Sequence, residues 1–239
     1  MKDIDNVSQV LGIPWEASKD IFFSPTPLFI GFIWDLDHHT MQLAKSKCIK
    51  YITTIDNWLL SRTHVLEDIQ KLHGKLVHAA LVFPEGKPYP TSLECMLGIF
   101  GNEPFKPRTP LQGTTEDLKW WQTKLFSPSI PCPIPTPQPI FDLQACSDAS
   151  SSISLSITLS NRWRAWFLRP GWISDGHDIG WAESISLKLL VSTILNTGTS
   201  NCHFTIYCDN QGIIEGWQKG HSHNCPSNNT FKCLFLFLD

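Results

Sequence analysis

Three acidic residues in the second half of the chain each sit beside a predicted strand or helix. Asp148 comes at the end of an apolar stretch, or just within it, and Asp209 ends another such stretch. Glu183 falls in the first turn of a predicted helix. If the two strands are neighbours, Asp148 and Asp209 lie side by side at one sheet edge, and a helix packed over the sheet brings Glu183 onto them. Carboxylates held so close repel one another unless cations lie between them.

Hard oxygen ligands of this kind suit Mg²⁺ or Mn²⁺. Two such ions about 4 Å apart activate a water molecule and stabilise the leaving oxygen of a phosphodiester. We therefore predict that Asp148, Glu183 and Asp209 are metal ligands and catalytic residues. The alternative is three unrelated surface acids, because an aspartate after a strand is common.

The elements that would position these acids follow one another in the order β-β-β-α-β-α-α. The strands are predicted at residues 141–146, 153–159, 164–168 and 203–208, and the helices at about 181–195, 211–218 and 228–238. This order predicts an α/β fold in which helices pack against a mixed β-sheet.

The first half of the chain has a different pattern. Residues 28–43 predict a β-hairpin. Apolar residues at three- and four-residue steps then predict helices at 44–61 and 63–82, with a short helix at 91–100 and another at 116–125. We expect Thr63 to cap the second of these helices and Thr115 to cap the last.

A proline-rich segment separates the two halves. Six prolines lie between residues 128 and 139, which disfavours helix and sheet interior and predicts an extended, semi-rigid spacer. We therefore divide the chain into a mainly helical region with a β-hairpin (1–126), a linker (127–139) and an α/β domain (140–239).

The overall composition limits the classes of function. The chain has 239 residues, 42% of them hydrophobic, and a net charge of −3, so a core can form but no global basic field favours tight binding of nucleic acid. The N-terminus lacks the apolar stretch of a secretory signal, and no apolar run approaches the ~18 residues of a membrane helix. The eight cysteines include no C-x-x-C pair, so we expect reduced thiols and a cytoplasmic or nuclear protein.

The acidic residues also carry a family resemblance. Ser-Asp-Ala-Ser at 147–150, Trp-Ala-Glu at 181–183 and Tyr-Cys-Asp-Asn-Gln-Gly at 207–212 resemble the three acidic motifs of the ribonuclease H-like superfamily, and the order of strands and helix matches as well. Stretches at 29–36, 72–78, 83–86 and 116–121 resemble the region after the reverse-transcriptase palm in fungal retrotransposon polyproteins.

The resemblance implies a ribonuclease H-like domain preceded by a reverse-transcriptase thumb or connection region. It implies hydrolysis of the RNA strand of an RNA–DNA hybrid with two Mg²⁺ ions held by Asp148, Glu183 and Asp209. Asn210 and Gln211 would contact the nucleic acid near the cut. The other expected partner is the remainder of a retroelement polyprotein.

The chain also departs from this family. The only string similar to the polymerase Y-x-D-D turn is Tyr207 to Asn210, where asparagine replaces the second acid, so we do not expect polymerase activity. The fourth carboxylate, fifth strand and last helix of ribonuclease H enzymes have no counterpart, so we expect truncation at both ends, impaired catalysis and exposed apolar surface. The alternative is a catalytically inactive fragment that binds nucleic acid weakly.

Two other types of site were weighed. Transposases and integrases carry their acids in the order Asp, Asp, Glu, whereas Glu183 lies between the aspartates here, which favours ribonuclease H. His221 and His223, with Cys225 and Cys233, offer nitrogen and sulfur ligands for zinc. Their spacing fits no known zinc motif, so the sequence favours a polar loop before a helix.

Overall fold

The computed structural model describes residues 2–12, 24–127, 130–150, 154–199 and 202–238. The helices are α1 (Lys2–Val10), α2 (Lys45–Leu60), α3 (Leu66–Ala79), α4 (Thr91–Ile99), α5 (Thr114–Phe126), α6 (Ile179–Leu195), α7 (Gln211–Lys219) and α8 (Cys225–Leu238). The strands are β1 (Leu28–Phe29), β2 (Phe32–Asp35), β3 (Thr40–Leu43), β4 (Cys132–Pro133), β5 (Ile140–Ala149), β6 (Ser154–Leu159), β7 (Arg162–Phe167) and β8 (His203–Tyr207). Helices flank one antiparallel and one mixed sheet, so the predicted α/β class is confirmed.

The first sheet has the order β1-β2-β3-β4, and all its pairs are antiparallel. The predicted hairpin at 28–43 is confirmed as β2 and β3, which pair from Phe32 with Leu43 to Asp35 with Thr40. β4 comes from the proline-rich segment, which the sequence predicts to be an extended spacer that avoids the interior of a sheet. Proline is tolerated on an edge strand, where it need not donate to a neighbour, and Cys132 and Pro133 pair with β3 at the edge of this sheet.

Helices α2 to α5 enclose the core of the first half of the chain. Its fully buried side chains come from all four helices and include Ile55, Leu72, Leu76, Leu93, Met96, Leu118 and Trp121. The four predicted helices are confirmed because each has an apolar stripe that only this core can bury.

The predictions that Thr63 and Thr115 cap helices are both wrong. Helix α3 begins at Leu66, because His64 and Arg108 exchange backbone hydrogen bonds of 2.9 and 2.8 Å that hold the preceding residues extended. The Asp68 carboxylate accepts from the Val65 N–H at 3.2 Å in place of a Thr63 cap. Helix α5 starts one residue before Thr115, after Gly113 in a left-handed conformation with φ 87°, which glycine adopts without strain.

The second sheet has the order β7-β6-β5-β8. β5 is antiparallel to β6 and parallel to β8, and β6 is antiparallel to β7. The first and fourth strands of the α/β domain are therefore neighbours, which is the condition that the predicted acidic site requires. Helix α6 packs over β5 and β6, where Leu190 and Ile194 bury against Ala145 and Ile157.

β8 is the outer strand of this sheet among the described residues. An apolar groove of about 670 Å³ runs along it between α6, α7 and α8, lined by residues that include Phe204, Ile206, Ile213 and Trp217. Apolar surface is thus accessible here. None of the helices in the described ranges combines the length and apolar character needed to cross a bilayer.

Helix α8 connects the two halves of the chain. It begins at Cys225, three residues before its predicted start, because Pro226 is compatible with a first helical turn. The Asn228 side chain donates to the Pro88 carbonyl at 2.8 Å, and the Lys232 ammonium donates to Asp117 Oδ1 of α5 at 2.5 Å. The C-terminal helix is therefore fixed by polar contacts to the helical region.

Two glycines in the helical region offer a matched test of its packing. A Cβ at Gly86 would overlap the ring of Trp121, which is fully buried, whereas one at Gly74 on the exposed face of α3 meets nothing within 4 Å. We expect Gly86→Ala to lower the free energy of unfolding by about 1–3 kcal/mol through overpacking. Gly74→Ala should raise it by roughly 0.5–1 kcal/mol. Urea unfolding of both variants checks the pair, and a stable Gly86→Ala variant would contradict this packing.

Candidate metal centre

The parallel pair β5 and β8 brings two acids to one edge of the second sheet. Cys146 of β5 lies opposite Tyr207 of β8. Asp148 and Asp209 each follow two residues later, and the carboxyl ends of parallel neighbours lie at the same edge. The pairing of β5 with β8 therefore brings the backbone of Asp148 and that of Asp209 to the same edge of the sheet.

Asp148 lies within β5, which continues to Ala149 and pairs Asp148 with Ser156 of β6. Its neighbours Ser147 and Ala149 are buried on the α6 side, and Asp148 is exposed. Side chains alternate along a strand, so Asp148 does not share the buried side of its neighbours. The Ser186 hydroxyl of α6 lies 2.9 Å from the Asp148 carbonyl and 2.7 Å from that of Ser156, and it donates to one at a time. This contact fixes the backbone on which Asp148 stands.

Glu183 lies in the first turns of α6 and points into the protein. Asp178 caps the helix by accepting from the Trp181 N–H at 2.8 Å. The Glu183 side chain is only 4% exposed, and it accepts a hydrogen bond from the Ala149 N–H. Its second oxygen, Oε2, is buried without a hydrogen-bond partner among the described residues. A buried carboxylate oxygen without a donor is unfavourable unless a proton or a cation satisfies it.

The environment of Glu183 strongly favours its protonated form. Burial is the main cause that raises the pKa of Glu183 to about 7, and the negative charges of Asp148 and Asp209 add to it. The Ala149 hydrogen bond acts in the opposite direction but is outweighed. A divalent cation would replace the proton and reverse this preference.

Glu183, Cys208 and Asp209 lie together. One donor atom from each residue falls within 4.8 Å of the donor atoms of the other two. Asp148 is outside this set, although its charge reaches Glu183. The structure thus brings Glu183 and Asp209 together as predicted and places Asp148 at the rim of the same cluster.

Cys208 is a member of this cluster that the sequence reasoning did not single out. Its position between the last residue of β8 and Asp209 is the signal that could have found it. Burial raises the pKa of the Cys208 thiol, so the thiol stays neutral near pH 7. A neutral thiol is a poor ligand for a hard cation, so Cys208 forms part of the wall while the carboxylates supply the ligands.

The donor set fits Mg²⁺ or Mn²⁺. It offers a buried carboxylate oxygen that has no partner among the described residues and a second carboxylate beside it, while the charge of Asp148 is near enough to raise the pKa of Glu183. Oxygen ligands with space for several waters are what Mg²⁺ prefers. Asp148, Glu183 and Asp209 are the residues that would hold the ion.

Asn210 and Gln211 start helix α7 directly after Asp209. The Asn210 side-chain oxygen caps this helix by accepting from the Ile213 N–H at 3.2 Å. Gln211 is exposed, and its amide donates to Glu215 Oε1 at 2.8 Å. Both residues border the carboxylate cluster, and their contact with nucleic acid stays a prediction.

A comparison with protein-family models and with curated proteins found no match to this chain. The interpretation of the site therefore rests on the geometry and chemistry of its own residues.

Proposed function

We propose that this protein is a ribonuclease H-like, divalent-metal-dependent nuclease that hydrolyses the RNA strand of RNA–DNA hybrids. The observation that carries the proposal is the buried Glu183 carboxylate, whose Oε2 has no partner in the described part of the chain while Asp209 lies beside it. A buried carboxylate oxygen without a donor, next to a second carboxylate, is unfavourable unless a proton or a cation satisfies it. The acid order Asp, Glu, Asp and the mixed sheet that places the two aspartates at one edge support the same reading.

Each residue has a distinct task in this proposal. Glu183 and Asp209 would hold the cation, and Asp148 would supply a further carboxylate from the exposed side of β5. Metal ions bound here would activate a water molecule and stabilise the departing oxygen of the phosphodiester. The exposed sides of Asp148 and Asp209 leave the site open to a polymer, which could not enter an enclosed cavity. Asn210 and Gln211 are placed to contact the backbone next to the cut.

A second candidate function is weak nucleic-acid binding by a catalytically inactive retroelement fragment. The observation that favours it is the position of Asp148 outside the tight Glu183–Asp209 set. The net charge of −3 also gives little long-range attraction to a polyanion.

A strand-resolved cleavage assay separates the two candidates. The full chain is incubated with Mg²⁺ and an RNA–DNA hybrid labelled on one strand at a time. We expect cleavage of the RNA strand that EDTA abolishes and that Asp148→Asn and Asp209→Asn each reduce by at least about 100-fold, since each removes a carboxylate from the metal site. Asp37→Asn, in the exposed hairpin turn, is the matched control and should cleave like the wild type.

Two outcomes of the assay would count against the nuclease proposal. Cleavage that persists in Asp148→Asn contradicts the proposed site. Absence of cleavage by the wild type, together with an unchanged melting temperature on addition of Mg²⁺, favours the inactive fragment.

A further inference from the structure

A second group of metal-ligating side chains lies at the junction between the helical region and the end of the chain. It consists of Glu94 of α4 with His221 and His223 of the loop between α7 and α8, and we call it the junction cluster. One donor atom from each residue lies within 4.8 Å of the others. His221 Nε2 is 3.0 Å from Glu94 Oε2, and the two imidazole rings are 5.6 Å apart and nearly perpendicular.

The loop that carries the two histidines is held by its own hydrogen bonds. Gly220 ends α7 in a left-handed conformation with φ 84°. The Ser222 N–H donates to Asn228 Oδ1 at 3.1 Å, and the Asn224 side chain donates to Asp178 Oδ2 at 3.0 Å. These contacts fix both sides of the loop, so little conformational entropy is lost when the histidines bind a ligand.

We propose that Glu94, His221 and His223 form a binding site for a late divalent transition-metal ion, with Zn²⁺ as the expected occupant. Two imidazole nitrogens and one carboxylate oxygen are a common zinc ligand set, which leaves the fourth position to water. Ligand atoms of a tetrahedral zinc lie roughly 3.3 Å apart, given bond lengths of about 2.0–2.2 Å. The widest separation between donor atoms in the junction cluster must therefore shrink by about 1.5 Å or less when zinc binds.

The chemistry distinguishes this site from the carboxylate site at the sheet edge. Imidazole ligands favour zinc and other late transition metals, whereas Mg²⁺ prefers oxygen. The sequence points to the two histidines but pairs them with Cys225 and Cys233, because Glu94 lies far away along the chain. Neither cysteine belongs to the junction cluster.

Binding of Zn²⁺ would join two distant parts of the chain. Glu94 belongs to the helical region, and the histidine loop precedes α8. An ion that binds only the folded protein stabilises it by RT ln(1 + L/Kd), where L is the free ion concentration, so the effect grows with the logarithm of that concentration over Kd. The metal would therefore add a third connection to those made by Asn228 and Lys232.

The test uses the full chain after removal of metals with EDTA. Zn²⁺ affinity is measured by competition with a chromophoric chelator, and the melting temperature is measured with and without Zn²⁺. We expect one tight site and a melting temperature roughly 5–10 °C higher at a free Zn²⁺ concentration about 100 times Kd. Mg²⁺ should not replace Zn²⁺. Co²⁺ in place of Zn²⁺ should give visible absorption without a thiolate-to-metal charge-transfer band, because the eight cysteines are not ligands.

Variants decide whether the junction cluster is the site. His223→Gln and Glu94→Gln should weaken Zn²⁺ binding by more than the roughly 10–100-fold that loss of an outer-shell partner costs. His203→Gln, an exposed histidine on β8, is the control and should bind like the wild type. His223 is exposed, so its variant should melt like the wild type in EDTA. Wild-type affinity in both cluster variants, or no Zn²⁺ binding by the wild type, overturns the proposal.

Discussion

Replacement of Glu183 by glutamine is expected to stabilise the metal-free protein at pH 8 and to abolish Mg²⁺-dependent cleavage. The carboxylate is buried beside Asp209, and none of the residues that the structure describes donates a hydrogen bond to its Oε2. A glutamine side chain of the same shape removes the buried charge and its repulsion with the aspartates. The same change removes the ligand on which the proposed activity depends.

The pH dependence of this stabilisation follows from the raised pKa. Burial raises the pKa of Glu183 from 4.5 to about 7 in the folded protein. Below the unfolded value the group is protonated in both states, so it has no effect on stability. As the pH rises from there through the folded pKa, ionisation disfavours the folded state progressively, and the full penalty is present above pH 7. It amounts to about 2 kcal/mol after allowance for water at the exposed side of the site.

Urea unfolding of the wild type and Glu183→Gln at pH 4.5 and pH 8, in EDTA, checks this expectation. The free energy of unfolding of the variant should be about 2 kcal/mol higher than that of the wild type at pH 8 and should match it at pH 4.5. Glu116→Gln, at an exposed position in α5, serves as the control and should differ by less than about 0.5 kcal/mol at either pH. If the difference in free energy of unfolding between Glu183→Gln and the wild type does not change with pH, the buried carboxylate is not destabilised by its ionisation.

Replacement of Lys232 by methionine is expected to destabilise the protein by about 3 kcal/mol, because it leaves a buried charge without its partner. Lys232 Nζ donates to Asp117 Oδ1 at 2.5 Å, and Asp117 is 8% exposed. Burial already raises the pKa of Asp117 despite the opposing effect of Lys232. Lys232 also lies over the Tyr89 ring at 4.8 Å, so the variant loses a cation–π contact as well.

Two further variants isolate the buried ion pair. Lys219→Met removes an exposed lysine from its ion pair with Glu215 and should cost less than about 1 kcal/mol, as is typical of surface pairs. The double variant Asp117→Asn with Lys232→Met should recover most of the lost stability, because no buried charge remains unpaired. Urea unfolding measures all three. If Lys232→Met and Lys219→Met lower the free energy of unfolding equally, the role of α8 in joining the two halves is contradicted.

The helices and strands of this fold were largely predictable from the sequence. Each confirmed element has an apolar periodicity that one buried face explains, as in α2, where Tyr51, Ile55 and Trp58 are buried at three- and four-residue steps. The features that were missed depend on distant residues. The start of α3 depends on the pairing of His64 with Arg108, and β4 depends on the free edge of β3. The sequence next to α3 or β4 does not indicate which distant residues will pair with it.

In the candidate site, too, some features follow from the local sequence and others depend on distant residues. The sequence predicts that Asp148 and Asp209 lie at one edge if their strands are neighbours, and the pairing of β5 with β8 meets that condition. The extension of β5 to Ala149, which leaves Asp148 on the exposed side, depends on the pairing with β6. Glu94 joins two histidines far along the chain only because α4 packs near the loop after α7. Contacts of this kind come from tertiary packing, which periodicity does not encode.

A calorimetric titration with Mn²⁺ at pH 8 tests most directly whether the carboxylate cluster is a metal site. The wild type should bind Mn²⁺, and the signal should disappear in Asp209→Asn, which removes the ligand beside Glu183, but persist in the exposed control Asp37→Asn. At pH 7 binding should also release protons to the buffer, because Glu183 with a pKa of about 7 is partly protonated there and must ionise to bind metal. The same Mn²⁺ affinity in the wild type and Asp209→Asn, or no binding at all, would contradict the central claim.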